Sequence, residues 1–318
     1  MANNFVDKIT MAQIIGTIFD TSAVKPLRPK YIFDGLAKEK EWELSRMPKR
    51  GDTLQFTVFS ALSANTSALD PTTSAITGSQ KLTYTRKTVS LEAYGDHSTI
   101  DTFEMSNETF LNEVSDHVFG LSDQALNSRN KLARSAFDSN RYANGASGTL
   151  SSTYHFYASN GTASSMGAMK ALDVRKMRAK LEGDNVERFG NGAYLAIIPN
   201  EVYTQLRADS SDGAWSKSAE NVDLGYTKIG MGQLDMFEGF MFVINNEVAG
   251  AGTGTLSSYF LGAGGVGRAL GRDVMVKAND TLAGNQENLL TIHWNMLIGY
   301  AVIRREAIRI VESSNAIR

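Results

Sequence analysis

The chain has 318 residues, four histidines, no cysteine and a formal net charge of -2, and these numbers exclude several classes of protein. Without cysteine there are no disulfides, zinc-thiolate sites or thiol nucleophiles. A nearly neutral chain also lacks the electrostatic basis for using nucleic acid as its main ligand. The amino terminus has no basic segment followed by an apolar run, and no apolar stretch reaches the roughly 18 residues of a membrane span. Neither secretion nor membrane insertion is therefore expected.

Residues 1–50 show no strong periodicity and are predicted to form an arm that needs another surface to lie on. Pro26 and Pro29 favour an extended backbone, and a short amphipathic turn is expected between Phe33 and Leu44. The arm is locally basic, which solvation explains as well as contact with an acidic partner does. Pro26 and Pro29 are candidate subunit-contact residues.

Residues 51–95 are predicted to form a long β-hairpin. Thr53–Phe59 and Lys81–Val89 alternate between polar and apolar residues and are rich in β-forming types. A polar loop of mostly Ser, Thr and Ala separates them. An isolated two-stranded ribbon is at best marginally stable in water, so this one is expected to lie on a neighbouring subunit. The candidate contact residues are Phe56, Phe59, Tyr84 and Arg86.

The stretch from Ser106 to Gly145 predicts one unusually long helix. Acidic residues crowd its first half and basic residues its second, which complements the helix dipole. Such a helix would be roughly 55 Å long, about as long as a compact chain of this size is wide. That length suits a plate-like building block better than a compact enzyme. The predicted buried stripe consists of Leu111, Val114, Val118, Leu121, Ala125, Leu132 and Ala136.

The remainder is predicted to form a mixed α/β region followed by closing strands, which gives an α+β fold class overall. The closing strands can return to pack on the long helix. Helices are predicted at Met169–Leu181 and Glu201–Arg207, and strands at Ala193–Ile198, Gly239–Ile244, Asp273–Lys277, Leu289–Ile298 and Tyr300–Val311.

Two patterns resemble functional sites, and neither is convincing. Gly262–Gly267 fits the GxGxxG dinucleotide fingerprint after an apolar strand, but too few residues follow for a crossover helix. A glycine-rich turn between strands is the favoured interpretation. Asp96, His97, Asp101 and Glu104 form the densest ligand-like cluster, yet their spacing matches no standard metal set. The sequence therefore predicts no catalytic residue, cofactor or metal site.

The order of these parts resembles the major capsid proteins of tailed bacteriophages, which have the Hong Kong 97-type fold. Four segments resemble the podovirus-type coat proteins in particular: Leu91–Asp96, Tyr194–Pro199, Gly239–Val243 and Gly299–Ile303. The resemblance implies an N-terminal arm (1–50), an extended hairpin loop (51–95), a peripheral domain with the spine helix (96–167), an axial domain (168–284) and closing strands of the peripheral domain (285–318).

The resemblance also implies a non-enzymatic function. The chain is expected to self-assemble as hexamers and pentamers into the icosahedral head shell that encloses phage double-stranded DNA. It would touch the packaged DNA only weakly and non-specifically, and it would have no membrane partner. A separate scaffolding protein is expected, because the arm starts almost at Met1, and a portal and a decoration protein are further partners. The expected location is the virion, after assembly in the bacterial host cytoplasm.

Gly120 is the only glycine inside the predicted helix, and a glycine there is about 1 kcal/mol less favourable than alanine. Since capsid relatives change subunit shape during maturation, Gly120 is a candidate hinge. The competing interpretation is that Gly120 permits close packing against a strand.

Two other functions remain open at this stage. A bacterial nanocompartment shell has the same fold and would enclose a cargo enzyme instead of DNA. More distantly, a nicotinamide-dependent oxidoreductase would use Gly262–Gly267 to bind its cofactor.

Overall fold

The computed structural model describes residues 31–43, 46–60, 62–64, 66, 80–101, 110–190, 192–211, 236–248, 254–279 and 289–315. The chain divides into two units, Met1–Lys30 and Tyr31–Arg318, and every described residue belongs to the second. The predictions made for Pro26, Pro29, Glu104 and the helix start at Ser106 lie outside the described residues.

The first described elements are a short helix and four strands. Helix α1 is Phe33–Leu36, and the strands are β1 (Lys38–Glu41), β2 (Thr53–Phe59), β3 (Tyr84–Ser90) and β4 (Glu92–Asp101). The expected turn after Phe33 is present as α1, but strand β1 was not predicted. The hairpin is confirmed, since β2 and β3 pair antiparallel with Phe59 opposite Tyr84.

Helix α2 is Phe110–Ser139, a continuous run of 30 residues that is about 45 Å long. The prediction of a long helix is confirmed, but the expected end at Gly145 is wrong. At the helix end the side-chain amide of Asn140 donates hydrogen bonds to the carbonyls of Arg305 and Ile308. The Arg305 guanidinium in turn donates to the carbonyls of Asn140, Tyr142 and Ala143, which takes the place of helical partners there.

The buried face of α2 differs from the predicted stripe. Leu121 and Ala125 are buried as expected, whereas Val118 is partly exposed. Ala133 and Phe137, which the prediction omitted, are buried. The predicted Leu132 and Ala136 lie beside these residues and are partly buried against the same core clusters, while the side chains of Leu111 and Val114 lie outside what the structure describes.

The remaining elements follow the predicted order. They are β5 (His155–Tyr157), a 3-10 turn (Ala158–Asn160), α3 (Ala171–Gly183), β6 (Tyr194–Ile198), α4 (Asn200–Ala208), β7 (Met236–Phe237), β8 (Phe240–Ile244), β9 (Thr255–Leu261), β10 (Val266–Asn279), β11 (Leu289–Val302), a second 3-10 turn (Arg305–Ala307) and β12 (Ile308–Ser314). Both predicted helices and all five predicted strand regions are present, although Tyr300–Val311 is interrupted at the second 3-10 turn.

Two larger sheets organise these strands. One has the order β1-β10-β11-β4, and the other has the order β5-β12-β9-β6-β8-β7. Helix α2 packs on both. Leu121 and Ala125 contact Trp294 and Met296 of the four-stranded sheet, while Phe137 joins a cluster with residues of the six-stranded sheet. No helix among the described residues is long and apolar enough to cross a membrane.

Each larger sheet draws strands from more than one segment of the sequence-based division. Strand β10 lies in the segment 168–284 and pairs with β1 and β11 in the four-stranded sheet. Strand β12 lies in the segment 285–318 and pairs with β5 and β9 in the six-stranded sheet. The cause is that the chain crosses between the sheets at Gly262–Gly265 and returns near residue 303.

Candidate functional site: surfaces for assembly

The base of the ribbon formed by β2 and β3 is seated in the core of its own subunit. Leu54, Phe56 and Val89 are buried in one cluster with Ala269 and Leu297 of the four-stranded sheet. The expectation that the ribbon lacks a core of its own is therefore wrong for its base. Phe56 is corrected from a candidate contact residue to a core residue, because it has almost no surface left for a neighbour.

A glycine makes this close seating possible. A Cβ atom on Gly267 would lie 2.9 Å from Cζ of Phe56 and 2.5 Å from Cδ1 of Ile303. A larger residue would force the side chains of Phe56 and Ile303 to shift, because such contacts are shorter than the van der Waals distance between carbon atoms. The ribbon thus leaves the subunit from a fixed base.

The outer face of the ribbon carries the other three predicted contact residues. Phe59 pairs with Tyr84 across the strands, and Arg86 lies opposite Thr57, two residues along the same face. Phe59 and Tyr84 are 62% and 60% exposed. Their ring centroids are 6.3 Å apart at an interplanar angle of 75°, an edge-to-face arrangement. The structure therefore brings Phe59, Tyr84 and Arg86 together on a face that its own subunit leaves uncovered.

This surface has the composition of a binding hot spot. Aromatic residues and arginine dominate the energetically important positions of protein interfaces. Burying one such aromatic side chain against a partner contributes about 1.5–3 kcal/mol. A pair of preorganised rings on a ribbon with a fixed base can supply that energy with little loss of side-chain entropy.

A second feature is an ionic hub, centred on Asp34, that holds α1 to the two larger elements beside it, α2 and the four-stranded sheet. Asp34 accepts hydrogen bonds from Arg268 and Tyr300 at Oδ1, and Arg129 binds Oδ2 at 2.9 Å. Burial alone would raise the pKa of Asp34, but hydrogen bonds from Tyr300 and Arg268 and the charge of Arg129 hold that pKa below its usual value. Asp34 therefore links α1 to α2, β10 and β11.

The sequence did not predict this hub. Arg129, one of the basic residues in the second half of the long helix, was expected only to interact favourably with the helix dipole. The partners of Asp34 lie 95, 234 and 266 positions away along the chain. No local pattern connects residues at such separations. The Arg129 guanidinium in fact forms ion pairs with both Asp34 and Asp273.

A third feature joins the end of α2 to the six-stranded sheet. Arg141 binds Glu312 at 2.6 Å and also pairs with Asp138, which accepts a hydrogen bond from Tyr259. His155 Nε2 lies 3.2 Å from Glu312 Oε2. Burial alone would raise the pKa of Glu312, but His155 and the charge of Arg141 lower it below its usual value. These contacts fix the helix end against β9, β12 and β5.

Both networks predict loss of subunit stability in acid. Asp34 and Glu312 have pKa values lower in the folded than in the unfolded chain. Their contribution is therefore complete above the unfolded pKa values and is lost as the pH falls through the folded ones. We expect the urea midpoint of the unassembled subunit to fall below about pH 4. A Glu312→Gln variant should show a shallower decline, and an equal decline in both proteins would contradict the assignment.

The Gly262–Gly267 motif is a connection between strands, as the favoured interpretation had it. Strand β9 ends at Leu261, and β10 begins at Val266. Gly264 has a φ of +71°, which the turn requires. A dinucleotide site needs a helix whose N-terminus faces the pyrophosphate, and here a strand follows instead. The cofactor-binding interpretation is therefore wrong.

The polar cluster before α2 serves the strand-to-helix packing. Asp96 accepts hydrogen bonds from the His97 backbone N–H and from Gln124 of α2. His97 is exposed and pairs across the sheet with His293. In the described part of the chain, no three metal-ligating side chains converge. The side chains of Asp101 and Glu104 lie outside what the structure describes.

The competing explanation for Gly120 is not supported. Among the described residues, a Cβ atom at Gly120 would have no atom within 4 Å beyond the helix itself, so no described strand packs closely there. The glycine interrupts neither the helix nor its hydrogen bonding. Its role as a hinge stays a prediction.

Comparisons with known proteins agree with this architecture. A family model described as phage capsid protein matches residues 85–309. The capsid structure of cyanophage P-SCSP1u has a TM-score of 0.64 at 14% identity and covers 93% of both chains. The capsid of cyanophage Pam1 has a TM-score of 0.66 at 14% identity, covering 93% of this chain and 95% of that one.

A third similar structure is the acid-stable capsid of Helicobacter pylori bacteriophage KHP30, with a TM-score of 0.64 at 12% identity. It covers 92% of this chain and 94% of the phage chain. A comparison with curated protein sequences found no match. The structural neighbours establish the Hong Kong 97-type fold. Because the family model spans well over half of the sequence, the chain belongs to the phage capsid protein family.

Proposed function

We propose that this chain is the major capsid protein that self-assembles into the icosahedral head shell enclosing phage double-stranded DNA. The observation that carries the proposal is the family match from residue 85 to residue 309, which includes α2 and strands of both larger sheets. The role is structural, and binding between copies of the chain takes the place of catalysis.

The geometry supports two domains and a projecting ribbon within the subunit. The four-stranded sheet and α2 would form the peripheral domain, and the six-stranded sheet with α3 and α4 the axial domain. The ribbon would reach a neighbouring subunit through Phe59, Tyr84 and Arg86. Many individually weak contacts of this kind give a shell that is stable as a whole, while misplaced subunits can still dissociate and rebind during assembly. Hexamers and pentamers are the assembly units that this proposal implies.

The proposed partners follow from the same function. A separate scaffolding protein would guide closure, a portal would occupy one vertex, and a decoration protein would bind the finished shell. A chain with a net charge of -2 would touch packaged DNA only weakly and non-specifically. Assembly would take place in the host cytoplasm before the protein reaches the virion.

Electron microscopy of the purified chain tests the proposal. Closed icosahedral shells are the expected result, with and without co-expressed scaffolding protein. A small soluble oligomer under all conditions would contradict it. Shells isolated from the native source should contain nuclease-protected DNA, whereas a protein cargo would favour the nanocompartment.

Removal of residues 1–30 is expected to weaken the shell without unfolding the subunit. The unit Tyr31–Arg318 starts after those residues, and Asp34 at its beginning is bound to Arg268 of β10. Thermal unfolding of the truncated subunit should match that of the full chain, while its shells should dissociate at lower denaturant concentration. An insoluble, unfolded product would mean that the arm belongs to the core of the subunit.

Gly120→Ala is expected to stiffen α2. The added methyl group enters open space, and alanine is about 1 kcal/mol more favourable than glycine inside a helix. The isolated subunit should therefore become slightly more stable, while expansion of precursor shells becomes slower. Helices that are equally straight in precursor and expanded shells would disprove the hinge.

A further inference from the structure

Two histidines lie directly opposite each other on neighbouring strands of the four-stranded sheet. His97 of β4 pairs with His293 of β11 in an antiparallel register. The side chains of a directly opposed pair project from the same face of a sheet, with Cβ atoms about 4.5–5.5 Å apart. The fold thus brings together two imidazoles that are far apart along the chain.

The face that carries this pair is turned away from α2. The side chains of Asp96 and Ser98, on either side of His97, bond to residues of α2. Trp294, next to His293, is buried in the cluster that α2 forms with the sheet. Because side chains alternate along a strand, both imidazoles project from the opposite face. His97 is exposed and His293 is half-buried, so an ion can reach the pair from solvent.

Both rings are available as metal ligands. In the described part of the chain, neither imidazole of this pair forms a hydrogen bond, an ion pair or a ring contact, so each ring is free to turn. Neutral imidazole is the commonest metal ligand in proteins, and a zinc–nitrogen bond is about 2.0–2.1 Å long. Two rings that rise from Cβ atoms this close together can therefore bind one ion.

A lysine on the next strand limits the affinity of such a site. Lys277 of β10 pairs with His293 from the other side, and its ammonium repels a cation. Lys277 is exposed, however, and its flexible stem allows the charge to point into water. Two nitrogen donors favour zinc, copper or nickel, whereas magnesium and calcium prefer oxygen donors.

A buried hydroxyl one pair further along the two strands lacks a partner. Thr291 lies on the same face of β11 as His293 and pairs with Thr99 of β4. Thr291 is 6% exposed, and its Oγ1 has no hydrogen-bond partner among the described residues. An unsatisfied buried group of this kind often marks a missing water or ion. A water molecule held by a metal ion on the neighbouring histidine pair would donate to this oxygen.

We propose that His97 and His293 together bind a divalent transition-metal ion of the zinc and copper class, with water in the remaining coordination positions. The ion ties β4 to β11. Among the described strands β4 is at the edge of its sheet, and it connects the ribbon to α2. An ion that needs both strands binds only the folded subunit and therefore stabilises it.

Calorimetric titration of the full chain, without an affinity tag, tests binding with zinc at neutral pH. His97→Gln and His293→Gln should each weaken binding at least about ten-fold, since even changes behind a metal ligand cost that much. The matched control His117→Gln removes a histidine that faces α2 and bonds to Ser98, and it should bind as the unaltered chain does. Binding should disappear at about pH 5, because protonated imidazole cannot bind a metal. Equal affinity in all three variants, or no saturable binding by the unaltered chain, would overturn the proposal.

Two further measurements examine the ligands and the tie between the strands. Electron paramagnetic resonance with copper should show coupling to two imidazole nitrogens, and to one in either single variant of the pair. Coupling to no imidazole in the unaltered chain would overturn the ligand assignment.

Zinc should also raise the urea midpoint of the unassembled subunit, and magnesium should not. The double variant His97→Gln, His293→Gln should show no rise with zinc. An equal rise in this variant would overturn the tie between β4 and β11, and an equal rise with magnesium would overturn the class of metal. Because no step requires assembly, these results are independent of whether the chain forms shells.

Discussion

Asp34→Asn is expected to lower the free energy of unfolding of the subunit by about 1–3 kcal/mol, the usual cost of depriving buried donors of their acceptor. The side chains of Arg129 and Arg268 are 12% and 13% exposed, and each would keep one other carboxylate, that of Asp273 and that of Glu39 respectively. Tyr300 would also lose its charged acceptor. Urea unfolding of the unassembled subunit measures the effect.

Asp273 provides the matched control. It binds the same Arg129 as Asp34 does, but its side chain is 66% exposed. Asp273→Asn should therefore cost less than about 1 kcal/mol, as exposed ion pairs usually do. Equal effects of the two substitutions would show that the Asp34 hub contributes no more to the attachment of α1 than an exposed ion pair does.

Replacing Phe59 and Tyr84 together with serine is expected to prevent assembly while leaving the subunit folded. Both rings are exposed in the isolated subunit, so their loss should change subunit stability by no more than about 0.5 kcal/mol. Loss of even one buried aromatic contact per interface, about 1.5–3 kcal/mol, should weaken each contact at least ten-fold. Light scattering and electron microscopy measure the concentration at which shells appear.

Phe56→Ala should behave in the opposite way and serves as the contrast. Phe56 lies on the inner face of the same strand, and its loss should destabilise the subunit by about 3–5 kcal/mol. If the outer-face variant assembles normally, the ribbon does not bind a neighbour through Phe59 and Tyr84.

Deletion of Ser60–Ser79 separately tests the ribbon tip, and normal shells from that deletion would rule out a contact there.

The sequence by itself determined the local elements and their order. Alternation identified β2 and β3, and three- and four-residue spacing identified α2, because each pattern reports one face of a regular backbone. The same order of elements was enough to suggest the capsid family, which the family match confirms. The turn between β9 and β10 could also be predicted, since Gly262–Gly267 was correctly favoured as a connection between strands.

Only the tertiary structure decided which elements meet. Strand β1 pairs with β10 more than two hundred residues away, and β12 joins the six-stranded sheet, because pairing depends on where the chain crosses between sheets. The two faces of the ribbon look alike in sequence, yet Phe56 is buried and Phe59 is exposed. Asp34 gathers its partners from three distant elements. Strand pairing, burial and ion pairing at these residues depend on long-range packing and charge interactions, which produce no periodic pattern in the sequence.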